Sequence, residues 1–305
     1  MDSIQKDLLE KVAGLHEIPR GAYNIRANGK GIARSSTANI DIIPKEDQPG
    51  IDIRIKANTK NEAVHIPVLL TESGINDAVY NDFFVGENAD VTIIAGCGIH
   101  NGGDAKSQHD GVHRFFVGKN ARVRYVEKHY GNGDGKGGRI MNPTTIVNID
   151  EGGYVEMELA QIKGIDSTHR DTEGTLQKGA TLIVKEKLMT HGTQYAKTNF
   201  LVNLDGEDSS ANVVSRSVAR DDSKQLFVSK IVGNNKCAGH TECDAIIMDR
   251  ASVTAEPQLT ANSVEASLIH EAAIGKIAGE QLMKLMTLGL TEEEAEAKIV
   301  EGFLK

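Results

Sequence analysis

Val85-Gly86-Glu87-Asn88-Ala89-Asp90-Val91-Thr92-Ile93 reads as a polar turn, a small residue and the start of an alternating strand. It is echoed by Val117-Gly118-Lys119-Asn120-Ala121-Arg122-Val123-Arg124-Tyr125. Asp150-Glu151-Gly152-Gly153-Tyr154-Val155-Glu156-Met157-Glu158-Leu159 and Gln177-Lys178-Gly179-Ala180-Thr181-Leu182-Ile183-Val184 repeat the pattern, and Asp205-Gly206-Glu207-Asp208-Ser209-Ser210-Ala211-Asn212-Val213-Val214 is a looser copy. The small residues Ala89, Ala121, Gly153, Ala180 and Ala211 recur at a period of about 30 residues, within the range of stacked repeats. Within a copy, Val155, Met157 and Leu159 face one way and Glu156 and Glu158 the other, as a half-buried strand requires.

Outward from this repeat, no helical period interrupts residues 40–266, which argues against βαβ units and a doubly wound sheet. No proline falls between Pro143 and Pro257, so every strand there can donate on both sides. A β-sandwich would place its turns nearer every 8–12 residues. The expected fold is therefore mainly β, a β-solenoid. Composition agrees: of 305 residues 39% are hydrophobic but only 4% aromatic, with no Trp and 31 Gly. Stacked aliphatic ladders fill a narrow core without large rings.

The flanks read differently. Ile4, Leu8, Val12 and Leu15 recur at helical spacing, and Gly21–Asn39 is rich in turn-forming residues, so 1–39 is expected to be a short helix and an irregular lead-in. After about Ser267, Ile274, Ile277, Leu282, Leu285 and Met286 return to helical spacing, and Gly289 supplies a stop. Thr291-Glu292-Glu293-Glu294 is a capping-box signature, with Ala295, Ile299, Val300 and Phe303 as the stripe of a last helix. Residues 267–305 are thus expected to form a helical segment that packs on the solenoid or meets a partner.

The charge balance, 34 Lys and Arg against 43 Asp and Glu for a net −9, argues against nucleic-acid or anionic-membrane partners. No apolar run approaches the roughly 20 residues that span a bilayer, and the polar N-terminus lacks a signal-peptide core. Three cysteines at unpatterned spacing predict free thiols and a cytoplasmic setting.

Three clusters could carry chemistry. Lys236-Cys237-Ala238-Gly239-His240-Thr241-Glu242-Cys243-Asp244 offers two thiols, an imidazole and carboxylates to a soft or borderline metal, although Cys-x5-Cys is no zinc-finger spacing. Buried structural cysteine is the competing reading. Cys97-Gly98-Ile99-His100, followed by His109, His113 and His129, invites a metal assignment but has no recognised ligand spacing. In Leu268-Ile269-His270-Glu271-Ala272-Ala273, both polar residues could simply cap or pack. Gly131–Gly138 is neither a Walker loop nor a dinucleotide fingerprint, and no Gly-x-Ser-x-Gly or His-Glu-x-x-His motif occurs.

Together these segments resemble the SufB/SufD family of iron–sulfur cluster assembly scaffolds. Thr241-Glu242-Cys243-Asp244 is similar to that family's Thr-Gln-Cys-Asp. His270-Glu271-Ala272, with Lys276-Ile277 and Glu280-Gln281-Leu282, is similar to its His-Glu-Ala-Thr and Glu-Asp-Gln-Leu run. Gly289-Leu290-Thr291-Glu292-Glu293-Glu294-Ala295 and Ile299-Val300-Glu301-Gly302-Phe303 are similar to its C-terminal motifs. The specific match covers roughly the last 65 residues; the repetitive middle agrees only in kind.

The resemblance implies a right-handed parallel β-helix, a homodimer formed through the solenoid, and a SufC-type ABC ATPase docked on the C-terminal helices, around Leu285, Met286, Leu288, Gly289, Leu290 and Glu294. It further implies a transient iron–sulfur cluster at the dimer interface, with Cys243, His270 and Glu271 at the assembly site. Cys237, His240, Cys97 and His100 stand as additional ligand candidates. Thiolates suit such a cluster, and His or carboxylate gives weaker, exchangeable ligation. The chain is expected to be a scaffold and not itself an enzyme, with a persulfide on Cys237 or Cys243 left open. The alternatives are a β-helix carbohydrate lyase or hydrolase, and a purely structural solenoid that recruits the ATPase.

Overall fold

A computed structural model covers residues 1–305 and is a β-solenoid of about eight turns. Two ten-stranded sheets face each other across a largely apolar core, in which the rings of Phe83, Phe115 and Tyr125 pack among aliphatic side chains, and successive strands of the coil alternate between the sheets. One sheet contains, in spatial order, the strands Lys30–Ser35, Ala22–Ala27, Lys60–Leu70, Asp90–His100, Arg122–Asn132, Tyr154–Lys163, Thr181–Thr190, Ser209–Ala219, Cys237–Ile247 and Ala266–Gly275. The other runs from Ile40–Pro44 to Ser252–Ala261, and all its pairings beyond the first hairpin are parallel.

The repeat seen in the sequence is the corner between the sheets. Asn58, Asn88, Asn120, Gly152, Gly179 and Asp208 all take left-handed backbone, which Asn, Asp and Gly tolerate best. Each donates its N–H to a carbonyl of the next turn, from Asn58 to Glu87 at 2.9 Å through to Asp208 and Lys236 at 2.7 Å. The small residue that follows is fully buried, because the corner leaves room for little more than a methyl: Ala89, Ala121 and Ala180 are each 0% exposed. In the loosest copy this position is Ser209, not Ala211, which pairs with Leu182 inside the strand.

Two boundaries differ from the expected ones. Gly21–Asn39 is not irregular: Ala22–Ala27 and Lys30–Ser35 form an antiparallel hairpin. The glycines and serines that suggested a loop lie around and on the exposed strand of that hairpin, and pairing with Lys60–Leu70 overrides local preference. At the other end, Ile274 belongs to the last strand, and helix begins only at Gly279. The helices Gly279–Thr287 and Glu292–Phe303 follow, the second with both hydrogen bonds of its Thr291–Glu294 capping box.

The N-terminal helix, Ser3–Ala13, buries Leu8, Leu9 and Val12 against the outer face of the first sheet. Gly96 makes this possible, since a Cβ there would lie 2.4 Å from the Val12 carbonyl oxygen. The two ends of the solenoid are unlike. Antiparallel hairpins fold over the N-terminal end, whereas Ser252–Ala261 and Ala266–Gly275 each leave one strand edge unpaired.

Candidate functional site

The last turns hold the residues singled out near the C-terminus, and strand alternation sorts them onto two faces. Cys237, Thr241 and Cys243 point into the core, with Cys243 1% exposed. On the next strand His270 stands beside Thr241 and Ala272 beside Cys243. The His270 Nε2 is buried and lacks a hydrogen-bond partner. Glu271 stands beside Glu242 on the outer face, where its carboxylate reaches the Nε2 of His240 at 3.5 Å. Within one chain, therefore, Cys243 and His270 share the interior while Glu271 and His240 share the exterior.

Burial pushes the Cys243 thiol up, and the Glu186 and Asp244 carboxylates add to it, so it reaches about 12. Burial also raises Cys237. Neither is a thiolate at neutral pH without a metal or a proton acceptor brought to it.

Cys97 is the opposite case. Burial alone would raise its thiol too, but the charges of His109 and His129 and their hydrogen bonds to sulfur outweigh burial and bring it to about 7. Burial disfavours charge on both imidazoles, yet the Cys97 thiolate and Asp77 raise His109 to about 10, and Glu127 with Cys97 raises His129 to about 9. His109 Nδ1 lies 3.1 Å from an Asp77 oxygen, and His129 Nε2 lies 2.6 Å from Glu127. His113 takes a different part. Tyr125 donates to Glu127 at 2.6 Å, so His113 Nδ1–H must donate to the Tyr125 oxygen at 2.7 Å, and its Nε2 accepts from Asn81 at 3.2 Å. That bonding requires a neutral ring, and burial duly holds His113 down at about 4.

These contacts extend into a line of alternating charge through the solenoid. Arg26 meets Asp77 at 3.0 Å; His109, Cys97, His129 and Glu127 follow; Arg170 then meets Glu127 at 3.0 Å and Glu186 at 3.7 Å. Beyond it, Ser215 donates to Glu186 at 2.7 Å, and Ser215 stands directly beside Cys243 in the ladder. An interior of this kind holds only where every charge has a partner, because an unpaired buried charge is strongly destabilising.

Of the earlier candidates, His100 does not join this group; its Nδ1 lies 2.9 Å from Asn132. Sequence reading noticed the histidines but missed Asp77, Glu127, Arg170, Glu186 and Ser215. The signal for two of them was present: Glu127 follows Val123 and Tyr125, and Glu186 follows Leu182 and Val184, at the inward positions of alternating strands.

The C-terminal helices bury little. Gly279–Thr287 has no buried residue and Glu292–Phe303 only Ala295, while Met283, Met286 and Leu288 are exposed. Arg220 approaches Glu296 at 4.0 Å, and Lys187 donates to the Lys305 carbonyl at 2.8 Å, which sets the last helix against the outer face of the first sheet. No helix is long and apolar enough to cross a membrane.

Comparison with known proteins assigns a family. Residues 77–303 match the family model described as SUF system FeS cluster assembly, SufBD core domain. An iron-sulfur cluster assembly SufBD family protein of Methanocaldococcus jannaschii is 31% identical over 243 residues, 79% of this chain and 76% of the relative. Relatives with the same description include one from Archaeoglobus fulgidus, 29% identical over 85% of this chain and 69% of its own, and one from Pyrococcus horikoshii, 28% identical over 93% and 87%. A match over most of the solenoid and both C-terminal helices, rather than over the C-terminal motifs alone, places the chain in the SufBD family of the SUF iron–sulfur cluster assembly system.

Proposed function

We propose that this chain is a scaffold on which ferrous iron and sulfide are joined into a nascent iron–sulfur cluster at the open C-terminal end of the solenoid, between two copies of the chain. The observation that carries this reading is the position of Cys243 and His270. They face the interior on the last two strands of one sheet, and the final strand has an unpaired edge. Such an edge pairs readily with another strand, and a two-fold copy would bring a second Cys243 and His270 to the same seam. The His270 Nε2 is a buried ring nitrogen without a hydrogen-bond partner, which a metal could take up. A cluster is cargo here, so a ligand set of thiolate plus a weaker nitrogen donor favours release.

The exposed Met283, Met286 and Leu288 suit docking of an ABC-type ATPase, which would supply the conformational work that this chain has no motif to perform. Cys97 is the thiol best suited to attack the sulfane sulfur of a donor persulfide, releasing the donor's thiolate and leaving a persulfide that a two-electron thiol reductant would then free as sulfide, since it alone of the three has its pKa brought down towards neutrality.

The test is anaerobic incubation of the full chain, with the ATPase, with ferrous iron and a sulfide source, read by visible absorption and EPR. A cluster signal is expected from the native chain and not from Cys243→Ser. A signal unaffected by Cys243→Ser overturns the assignment.

A further inference from the structure

The outer face of the same two strands carries a second set of donors. Asn212, His240 and Ile269 form one cross-strand row, and Val214, Glu242 and Glu271 the next. His240 Nδ1 lies 2.9 Å from the Asn212 side-chain oxygen. An amide oxygen only accepts, so Nδ1 donates to it and Nε2 is the ring nitrogen left for another partner. Nε2 faces the Glu271 carboxylate, 3.5 Å away. One donor atom from each of His240, Glu242 and Glu271 lies within 4.8 Å of the others.

This arrangement is repulsive as it stands. Glu242 and Glu271 are in register on neighbouring strands, where like charges directly opposite one another destabilise a sheet. Asp244, next along the outer face, adds a third carboxylate, and Arg216, in the Asp244 row, offsets the three only in part. A cation held between the imidazole and the two carboxylates would resolve the conflict, and the Nδ1–Asn212 bond is the kind of outer contact that fixes a metal-binding histidine in its ligating tautomer.

We propose that His240, Glu242 and Glu271 form a divalent-cation site of one nitrogen and two carboxylates, with Asn212 as its positioning residue. The donor set suits a borderline ion such as ferrous iron and, without a thiolate, disfavours softer ions. The site lies across the sheet from Cys243, and its binding is measurable whether or not a cluster is ever assembled.

The experiment is titration of the metal-stripped full chain with Mn²⁺ under anaerobic conditions, following loss of the free-ion EPR signal, then competition with Fe²⁺. One Mn²⁺ per chain, displaced by Fe²⁺, is expected. His240→Ala and the isosteric Glu242→Gln and Glu271→Gln should each weaken binding by about tenfold or more, and Asn212→Ala by about tenfold, with Asn212→Asp restoring it. Cys243→Ser should leave affinity unchanged. The proposal is overturned if no stoichiometric binding appears below about 1 mM, if the His240 and glutamate variants bind like the native chain, as a diffuse acidic surface would, or if Cys243→Ser abolishes binding.

Discussion

Cys97 and Cys243 face the same interior from the same sheet and are both nearly inaccessible, yet one thiol sits at about 7 and the other at about 12. Burial acts on both in the same direction, so the difference comes from neighbours. Cys97 lies between two imidazoles that burial alone would keep neutral, whereas Cys243 has a carboxylate, Glu186, across the ladder and no cation beside it. In this solenoid the charge line, not depth, decides which thiol is a nucleophile and which waits for a metal.

The comparison breaks most severely at Arg170, the cation that separates the two regions. Arg170→Met should leave Glu127 and Glu186 without it and cost about 3–5 kcal/mol of stability, measured by urea unfolding. An effect within the range of surface substitutions would mean that the buried charges are not tightly paired. His109→Asn is the sharper probe. In a chain whose remaining thiols are replaced by Ser, the 240 nm thiolate band of Cys97 should grow in with a midpoint near 7, and His109→Asn should raise that midpoint by at least one unit, or about 1.4 kcal/mol. An unmoved midpoint removes His109 from the pairing.

The two thiols should also tilt stability in opposite directions with pH. The folded pKa of Cys97 lies below its ordinary 9.0, so its contribution is present above about pH 9 and is lost as pH falls through 7. The folded pKa of Cys243 lies above 9.0, so its contribution is present below about pH 9 and is lost as pH rises towards 12. Unfolding at a series of pH values should therefore show that Cys97→Ser flattens the rise between pH 7 and 9 and that Cys243→Ser flattens the fall above 9. Equal effects of both variants at every pH would contradict the assignment. The smallest effect is expected at Ser215, whose hydroxyl bridges the regions: Ser215→Ala removes one hydrogen bond to Glu186, which keeps its bond from Thr198, and should cost about 1 kcal/mol by the same unfolding measurement.

The fold was largely legible because a solenoid writes its geometry into local sequence. The left-handed residue and the small residue after it sit at fixed places in each turn, so Asn88-Ala89 and Asn120-Ala121 state the corner outright. The site was legible only in part. Motif resemblance pointed to Cys243, His270 and Glu271, but not to their division between two faces of a sheet. That division depends on register: Glu242, not Cys243, stands opposite Glu271. The charge line was hidden for a related reason. Its members lie on separate turns, such as Cys97 and His129 or Asp77 and His109, and only stacking makes them neighbours.

The glycines behind Cys97 have a consequence for access to it. Gly96 and Gly98 flank the thiol, so the sheet at that point is backbone alone, and the N-terminal helix closes it from outside with Val12 and Leu8. The helix is thus a shutter over the thinnest part of the wall. Were it to swing away, solvent would stand one strand's thickness from the thiol whose pKa lies nearest neutrality.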